Sequence, residues 1–268
     1  MTRAFRFGVN MITNGDRSAA IAKVRRAEEL GYDVILVPDH LGMPAPFPWL
    51  SLAAEHTSRV RLGTFVLNAG FWNPVLLARD VFTLNTFAQG RLELGLGAGY
   101  VREEFEEAGL AWPRPGERVT HLTDVVHRMR AEAAKLGQSL RIVVGGNGDR
   151  VLRLAAGHAD TVAFAGLRTT PPGSAQPMEF ITWDELGERV EFVRKAADGR
   201  DYESNLLVQN VSDATDSAPD VPAMLGGTHE EIAAKVRTLR DRYGITYLTV
   251  LEPNLESFAP VIKLLREQ

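Results

Sequence analysis

The chain has 268 residues, 45% of them apolar and 24% charged, with a net charge of −4. That length and balance suit a globular chain with a sizeable core, and no basic stripe with interleaved aromatics appears, so nucleic-acid binding has no support. There is no cysteine, which excludes disulfides, thiolate catalysis and cysteine-ligated metals. No apolar run reaches the roughly 20 residues of a membrane-spanning helix. The first residues read directly into a strand, and the expectation is a cytoplasmic protein.

Strand-like and helix-like runs then alternate along the chain. Phe5 to Met11 reads as a first strand. Asp16 to Leu30 reads as a helix, with Ala20, Val24, Ala27 and Leu30 on one face and Gly31 as its stop. Asp33 to Val37 is a second strand, Pro48 to Ser58 a short helix, and Arg61 to Leu67 a third strand. A helix follows from Pro74 to Ala88, with the proline at its start. Arg91 to Leu96 is a fourth strand, followed by helices near Arg102 to Ala108 and Glu117 to Lys135. The second half continues with strands at Leu140 to Val144, Thr161 to Ala165, Asn205 to Val211 and Ile245 to Leu251. Helices at Asp149 to His158, Thr182 to Ala197, Thr228 to Tyr243 and Leu255 to Arg266 complete the pattern. Thr228 and Glu231 have the spacing of a capping box. Eight β/α units in one chain predict a (β/α)₈ TIM barrel, read as a single domain over residues 1–268. An open doubly wound sheet is disfavoured because no Gly-x-Gly-x-x-Gly follows the first strand. Arg168 to Pro177 and Asp213 to Pro222 read as irregular loops over the catalytic face.

Parallel barrels gather their chemistry at the C-terminal ends of the strands. The second strand ends in Pro38-Asp39-His40. His40 is of the residue type best suited to act as a general acid or base, with Asp39 to orient it or to bind a ligand. The third strand ends in Thr64-Phe65-Val66-Leu67-Asn68, an apolar wall that fits either a flat ring or barrel packing. Gly97-Ala98-Gly99 after the fourth strand admits a close-lying ligand or is a plain tight turn. Gly145-Gly146-Asn147-Gly148 joins the fifth strand to a helix, where free backbone N–H groups favour a phosphate. Phe71-Trp72-Asn73-Pro74 reads as a structured loop, with Trp72 bordering a pocket as the alternative. Glu103, Glu104, Glu106 and Glu107 read as a solvated helix face. His56, His121, His127, His158 and His229 lack metal-ligand spacing, and no metal site is expected.

Together, "AEELGYDVILVPDHL", "RVRLGTFVLNAGFWNP", "GRLELGLGAGYVREEFEEAG" and "IVVGGNGDRVLRLAAGHAD" resemble the luciferase-like monooxygenase superfamily. Within it, the resemblance is to the branch that uses the deazaflavin coenzyme F420. It implies a barrel oxidoreductase with His40 assisting proton or hydride chemistry. It also implies a cofactor held by Asp39, Phe65, Val66, Asn68, Ala98, Gly99 and the phosphate loop Gly145, Gly146, Asn147 and Gly148. The family's non-proline cis peptide falls at Phe65–Val66. An FMN-dependent monooxygenase and a non-catalytic binder of the same fold are the alternatives. Two departures argue against sugar-phosphate or simple alcohol oxidation. Met43 and Pro44 stand where the dehydrogenases carry a tryptophan, and Tyr100 stands where they carry a glutamate. The direct connection at Lys135 to Leu140 replaces a longer family excursion. It leads to the expectation of an open mouth and a bulky, peptide-like or carrier-bound substrate; a homodimer is expected separately.

Overall fold

The computed structural model describes residues 3–170, 178–212 and 219–267. Its parallel strands are β1 (Arg6–Asn10), β2 (Val34–Val37), β3 (Arg61–Thr64), β4 (Leu92–Gly97), β5 (Arg141–Gly145), β6 (Thr161–Phe164), β7 (Glu203–Val208) and β8 (Ile245–Leu251). Each pairs with the next in chain order, and β8 pairs back onto β1 with Arg6 opposite Tyr247 and Asn10 opposite Leu251. This is the predicted closed barrel. Period-2 alternation divides each strand between two cores. On β2, Val34 and Leu36 join Phe65, Val143, Ala163 and Tyr247 inside the ring, while Ile35 and Val37 face the helices.

The helices are α1 (Arg17–Glu29), α2 (Pro46–His56), α3 (Pro74–Phe87), α4 (Arg102–Glu107), α5 (Pro115–Leu136), α6 (Asp149–His158), α7 (Trp183–Ala197), α8 (His229–Tyr243) and α9 (Ala259–Arg266). Their ends follow local chemistry. Asp16 caps α1 by accepting from Ala19 N at 2.8 Å, and Asn73 caps α3 just before Pro74. Thr182 with Glu185 and Thr228 with Glu231 form capping boxes.

Several expected elements are revised. The third strand stops at Thr64, the Phe65–Val66 peptide bond is cis, and pairing resumes at Leu67–Asn68. The run to Val211 divides into β7 and a separate strand Asn210–Ser212, which pairs with Met224–Gly226. The last helix starts at Ala259, after a 3₁₀ turn at Glu252–Asn254. Part of the expected loop at Arg168 is a hairpin, Leu167–Thr169 against Met178–Phe180. The rest of that loop, 171–177, lies outside the described residues, as does 213–218 in the second expected loop. The connection at Lys135 to Leu140 joins the end of α5 to the start of β5, where Asn85 Nδ2 donates to Gln138 Oε1 at 2.9 Å and to Ser139 O at 3.2 Å. In a parallel barrel that is the N-terminal end, opposite the ligand face. Its shortness therefore does not open the mouth.

The N-terminal end of the barrel is closed by charge. Glu93 is fully buried, and its Oε1 accepts from Arg6 Nη2 and from Arg61 Nε at 2.6 Å. Glu203 Oε2 accepts from Arg6 Nη1 at 2.6 Å and Arg141 Nη2 at 3.1 Å. The Arg6 guanidinium lies over the Tyr247 ring, 4.6 Å from its centroid. Burial works against the Arg6 charge, but Glu93, Tyr247 and Glu203 raise its pKa overall. No described helix is long and apolar enough to cross a membrane. Removing one carboxylate strands the opposing cations. Glu93→Ala should therefore cost about 3–5 kcal/mol of folding stability, read from denaturant midpoints at constant slope. A loss below about 1 kcal/mol would show that the network is dispensable.

Candidate active site

A cavity of about 640 Å³ opens at the C-terminal ends of the strands, within the range of small-molecule sites. The residues expected to hold the cofactor or do the chemistry line it: Asp39 and His40 from β2, Phe65, Val66 and Asn68 after β3, Ala98 and Gly99 after β4, and Gly145, Gly146, Asn147 and Gly148 after β5. Met43, Tyr100 and Arg168 line it too, at positions the resemblance or the loop pattern had put near the ligand face, and Asn10, Glu104 and Gln209 add polar groups that sequence reasoning had not assigned there. Trp72 is not on the wall. It stands behind Asp39 and packs edge-on against Phe47, with ring centroids 5.2 Å apart.

The β2 corner carries the titratable groups. His40 Nδ1 lies 2.7 Å from Glu104 Oε1. This corrects the reading of Glu104 as part of a solvated helix face. Phe105 anchors α4 inward, packing on Phe71 and Trp112 with centroids 5.1 and 4.9 Å away. The adjacent Glu104 is turned onto the cavity, with its side chain 13% exposed. One apolar residue inside an acidic run was the signal for this inward turn. Tyr100 meets His40 edge-on at 5.8 Å. Burial pushes its phenol up, and the Glu104 charge pushes the same way.

Asp39 does not hold His40. Its Oδ2 accepts from Trp72 Nε1 at 2.9 Å and from Asn68 N at 3.2 Å, so it pins the turn after β3. That turn is further held by His121, whose Nε2 lies 3.0 Å from Ala69 O and 3.1 Å from Trp72 O. Burial raises the Asp39 pKa despite those two donors. Gly99 completes the corner. Its φ is +75°, and a Cβ there would lie 2.3 Å from Asn68 Oδ1, so close packing against Asn68 requires glycine.

The β5 corner is built differently. Gly148 is the N-cap of α6 and offers no capping side chain, so the first N–H groups of that helix have no side-chain acceptor from the cap. A Cβ at Gly148 would meet nothing within 4 Å. At Gly146, φ is +152° and a Cβ would stand 2.9 Å from Val151 Cγ1. An uncapped helix start with open space before it fits a phosphate. Arg168 faces the cavity after β6, paired with Glu179 at 2.8 Å and Glu185 at 3.4 Å. Among the described residues, no group of three or more His, Cys, Asp or Glu is placed to hold a metal ion.

Residues 3–182 match the family model described as luciferase-like monooxygenase. The chain belongs to that family. It is 37% identical over 123 residues to the F420-dependent glucose-6-phosphate dehydrogenase of Kribbella flavida, a match covering 42% of this chain and 37% of that protein. The chain thus spans little more than a third of that relative's length. It is 24% identical over 261 residues to the 5,10-methylenetetrahydromethanopterin reductase of Archaeoglobus fulgidus, covering 90% of this chain and 74% of the other. The luciferase-like fold is shared with the coenzyme F420-dependent tetrahydromethanopterin reductase from Methanopyrus kandleri, at a TM-score of 0.76 and 15% identity, covering 97% of each chain. It is also shared with an F420-dependent secondary alcohol dehydrogenase in complex with an F420–acetone adduct, at a TM-score of 0.75 and 16% identity, covering 98% of each chain.

The raised Asp39 pKa has a stability consequence. Its charge costs nothing below the unfolded carboxylate range, and the cost grows as pH rises through the higher folded value. Asp39→Asn keeps an acceptor oxygen for Trp72 and Asn68 and removes that cost. The variant should gain in thermal stability over the wild type between acid and neutral pH. A constant difference in Tm across that range would count against it.

Proposed function

We propose that this chain is an F420-dependent oxidoreductase that exchanges hydride with an activated C=C, C=N or C=O group. The observation that carries the reading is the two-ended cavity. An uncapped helix start stands at one side, and a histidine–carboxylate pair stands at the other. The relatives at 37% and 24% identity are named for F420 or for a pterin reduction, which favours the deazaflavin over FMN. The residues present fit such a group. Gly145 to Gly148 and the start of α6 would receive its phosphate, and Phe65, Val66, Ala98 and Gly99 would bound its ring.

The bound deazaflavin would supply a carbon centre that gives or accepts hydride. The chain's residues do the rest. His40 Nε2, left free by the Nδ1 contact with Glu104, is placed to give or take the accompanying proton. Glu104 fixes the ring orientation of His40, Asp39 and His121 hold the turn after β3, and the apolar wall restricts water. The cavity size favours a small substrate. A peptide-like or carrier-bound substrate loses its support with the placement of Lys135 to Leu140 at the far end of the barrel. A homodimer remains part of the reading, supported by Val75, Leu76 and Phe87 exposed on α3, with gel filtration as its check.

Separate titrations with F420, reduced F420 and FMN test the cofactor. Tight F420 binding without FMN binding is expected. The reverse result would favour the FMN-dependent monooxygenase, and binding without turnover across a substrate panel would favour a non-catalytic barrel. Gly148→Asp should cap α6 and leave folding intact, while its charge opposes a phosphate. F420 affinity should fall at least tenfold, about 1.4 kcal/mol. Unchanged affinity would place the phosphate elsewhere. His40→Ala should lower turnover roughly 10²–10⁴-fold with a much smaller change in cofactor affinity. A normal rate would remove His40 from the chemistry.

A further inference from the structure

Three large apolar side chains stand exposed together beside His40. Leu41 is 42% exposed, Met43 38% and Tyr100 53%. Met43 and Tyr100 line the cavity, and Leu41 lies in the same turn as Met43. A single exposed apolar residue needs no explanation, but several gathered at a cavity rim mark a binding surface. The turns that carry them are held in place. Met43 N donates to His40 O at 3.1 Å, and Asn14 Nδ2 donates to Gly42 O at 2.6 Å. On the facing turn, Gly99 packs on Asn68, and the Tyr100 ring meets His40 edge-on at 5.8 Å. The rim is thus formed before any ligand arrives, and a ligand that covers it need not order it.

The carboxylates of this corner are already engaged or out of reach. Asp39 Oδ2 accepts from Trp72 and Asn68. Glu104 Oε1 lies against His40 Nδ1, and its other oxygen is buried. His40 Nε2 and the Tyr100 hydroxyl are left to meet a ligand. Among the described residues, the one lysine or arginine on the cavity wall is Arg168. It follows β6, four strands round the ring from β2, and is engaged by Glu179 and Glu185. Gln209 follows β7, three strands away. A polyhydroxylated ligand in this corner would bring more hydroxyls than the wall has partners for, and each unmatched one loses its hydrogen bonds to water. An anionic group would find no cation beside it.

We infer that the substrate is an uncharged compound with an apolar body, and that Met43 and Tyr100 are the specificity-determining residues that cover this body at the cavity mouth. The inference rests on the proposed function in placing the reacting end of the substrate at His40. That end shares a hydrogen bond with His40 Nε2. The body then runs outward between the Met43 thioether, which adapts its rotamers to irregular apolar shapes, and the Tyr100 ring, which offers a broad flat face. Covering the rim removes apolar surface from water on both partners, so affinity follows the apolar length of the ligand.

Straight-chain methyl ketones of five to nine carbons share one polar end and differ only in apolar length. Their binding to the purified protein, measured by calorimetry or ligand-observed NMR, tests the inference without turnover. Affinity should rise about two- to fourfold with each added methylene. Heptanoate should bind roughly tenfold more weakly than the seven-carbon ketone. Met43→Ser and Tyr100→Ser alter exposed side chains, so folding should survive, and together they should flatten the dependence on length. Tyr100→Phe keeps the ring and should retain it. Leu136→Ser removes an exposed apolar side chain at the end of α5, far from the mouth, and should also retain it. A series with no dependence on length would overturn the inference, as would heptanoate binding as tightly as the ketone. A dependence that survives the Met43→Ser, Tyr100→Ser double variant, or that is lost in Leu136→Ser, would also overturn it. F420 binding is scored separately. F420 binding with a flat ketone series overturns this inference and spares the proposed function, whereas a steep series without F420 binding does the reverse.

Discussion

The barrel depends on matched charge inside its N-terminal end. Arg6, Arg61 and Arg141 open β1, β3 and β5, and Glu93 and Glu203 lie at the start of β4 and β7. Ring closure drives these side chains toward one axis. Left unpaired, any of them would carry a desolvation cost comparable to the net stability of a domain. Paired around Glu93 Oε1 and Glu203 Oε2, Arg6 and Arg141 bridge strands that are not neighbours in the ring, and Arg61 joins the adjacent β3 and β4. Such pairs fix strand order and register more than they add net stability. That end is occupied by ionic groups and the Tyr247 ring, and the cavity opens at the opposite end.

A second constraint closes the seam between the first and last strands. Glu252, directly after β8, accepts from Ile12 N and Thr13 N at 2.8 Å, and is also engaged by Thr13 Oγ1 and Lys23 Nζ. Burial alone would raise its pKa. The donors from Lys23, Thr13 and Ile12 outweigh that and hold it below the usual carboxylate range. The stabilisation is present above the unfolded carboxylate pKa and is lost as pH falls through the lower folded value. Ile12 and Leu251 both line the cavity, so the seam also fixes one of its walls.

The cavity is polarised by topology. Its phosphate-compatible side is backbone, the uncapped start of α6, and needs glycines because side chains would fill it. Its other side is made of side chains from β2 and the segment after β4, held by the turn after β3. The cis bond at Phe65–Val66 lies between these two sides, with Asn10 bonded to Phe65 O. Backbone N–H groups thus stand at one side of the cavity and the His40–Glu104 pair at the other.

The strand and helix alternation, most helix ends and the strand-end motifs were legible in the sequence. They rest on local causes: side-chain period, capping residues, proline at helix starts and glycine at turns. The interior charge network was not legible, because no spacing rule says that Arg6 and Glu93 share a barrel axis. The same holds for Glu104 on His40, and for Trp72 behind Asp39 instead of on the cavity wall. Lys135 to Leu140 looked like missing cover until the direction of β5 placed it at the far end. Sequence determined which residues could end a strand, cap a helix or approach a backbone, since neighbours along the chain decide those properties. Tertiary structure alone decided which side chains meet, because ring closure and helix rotation bring together groups that the chain keeps far apart.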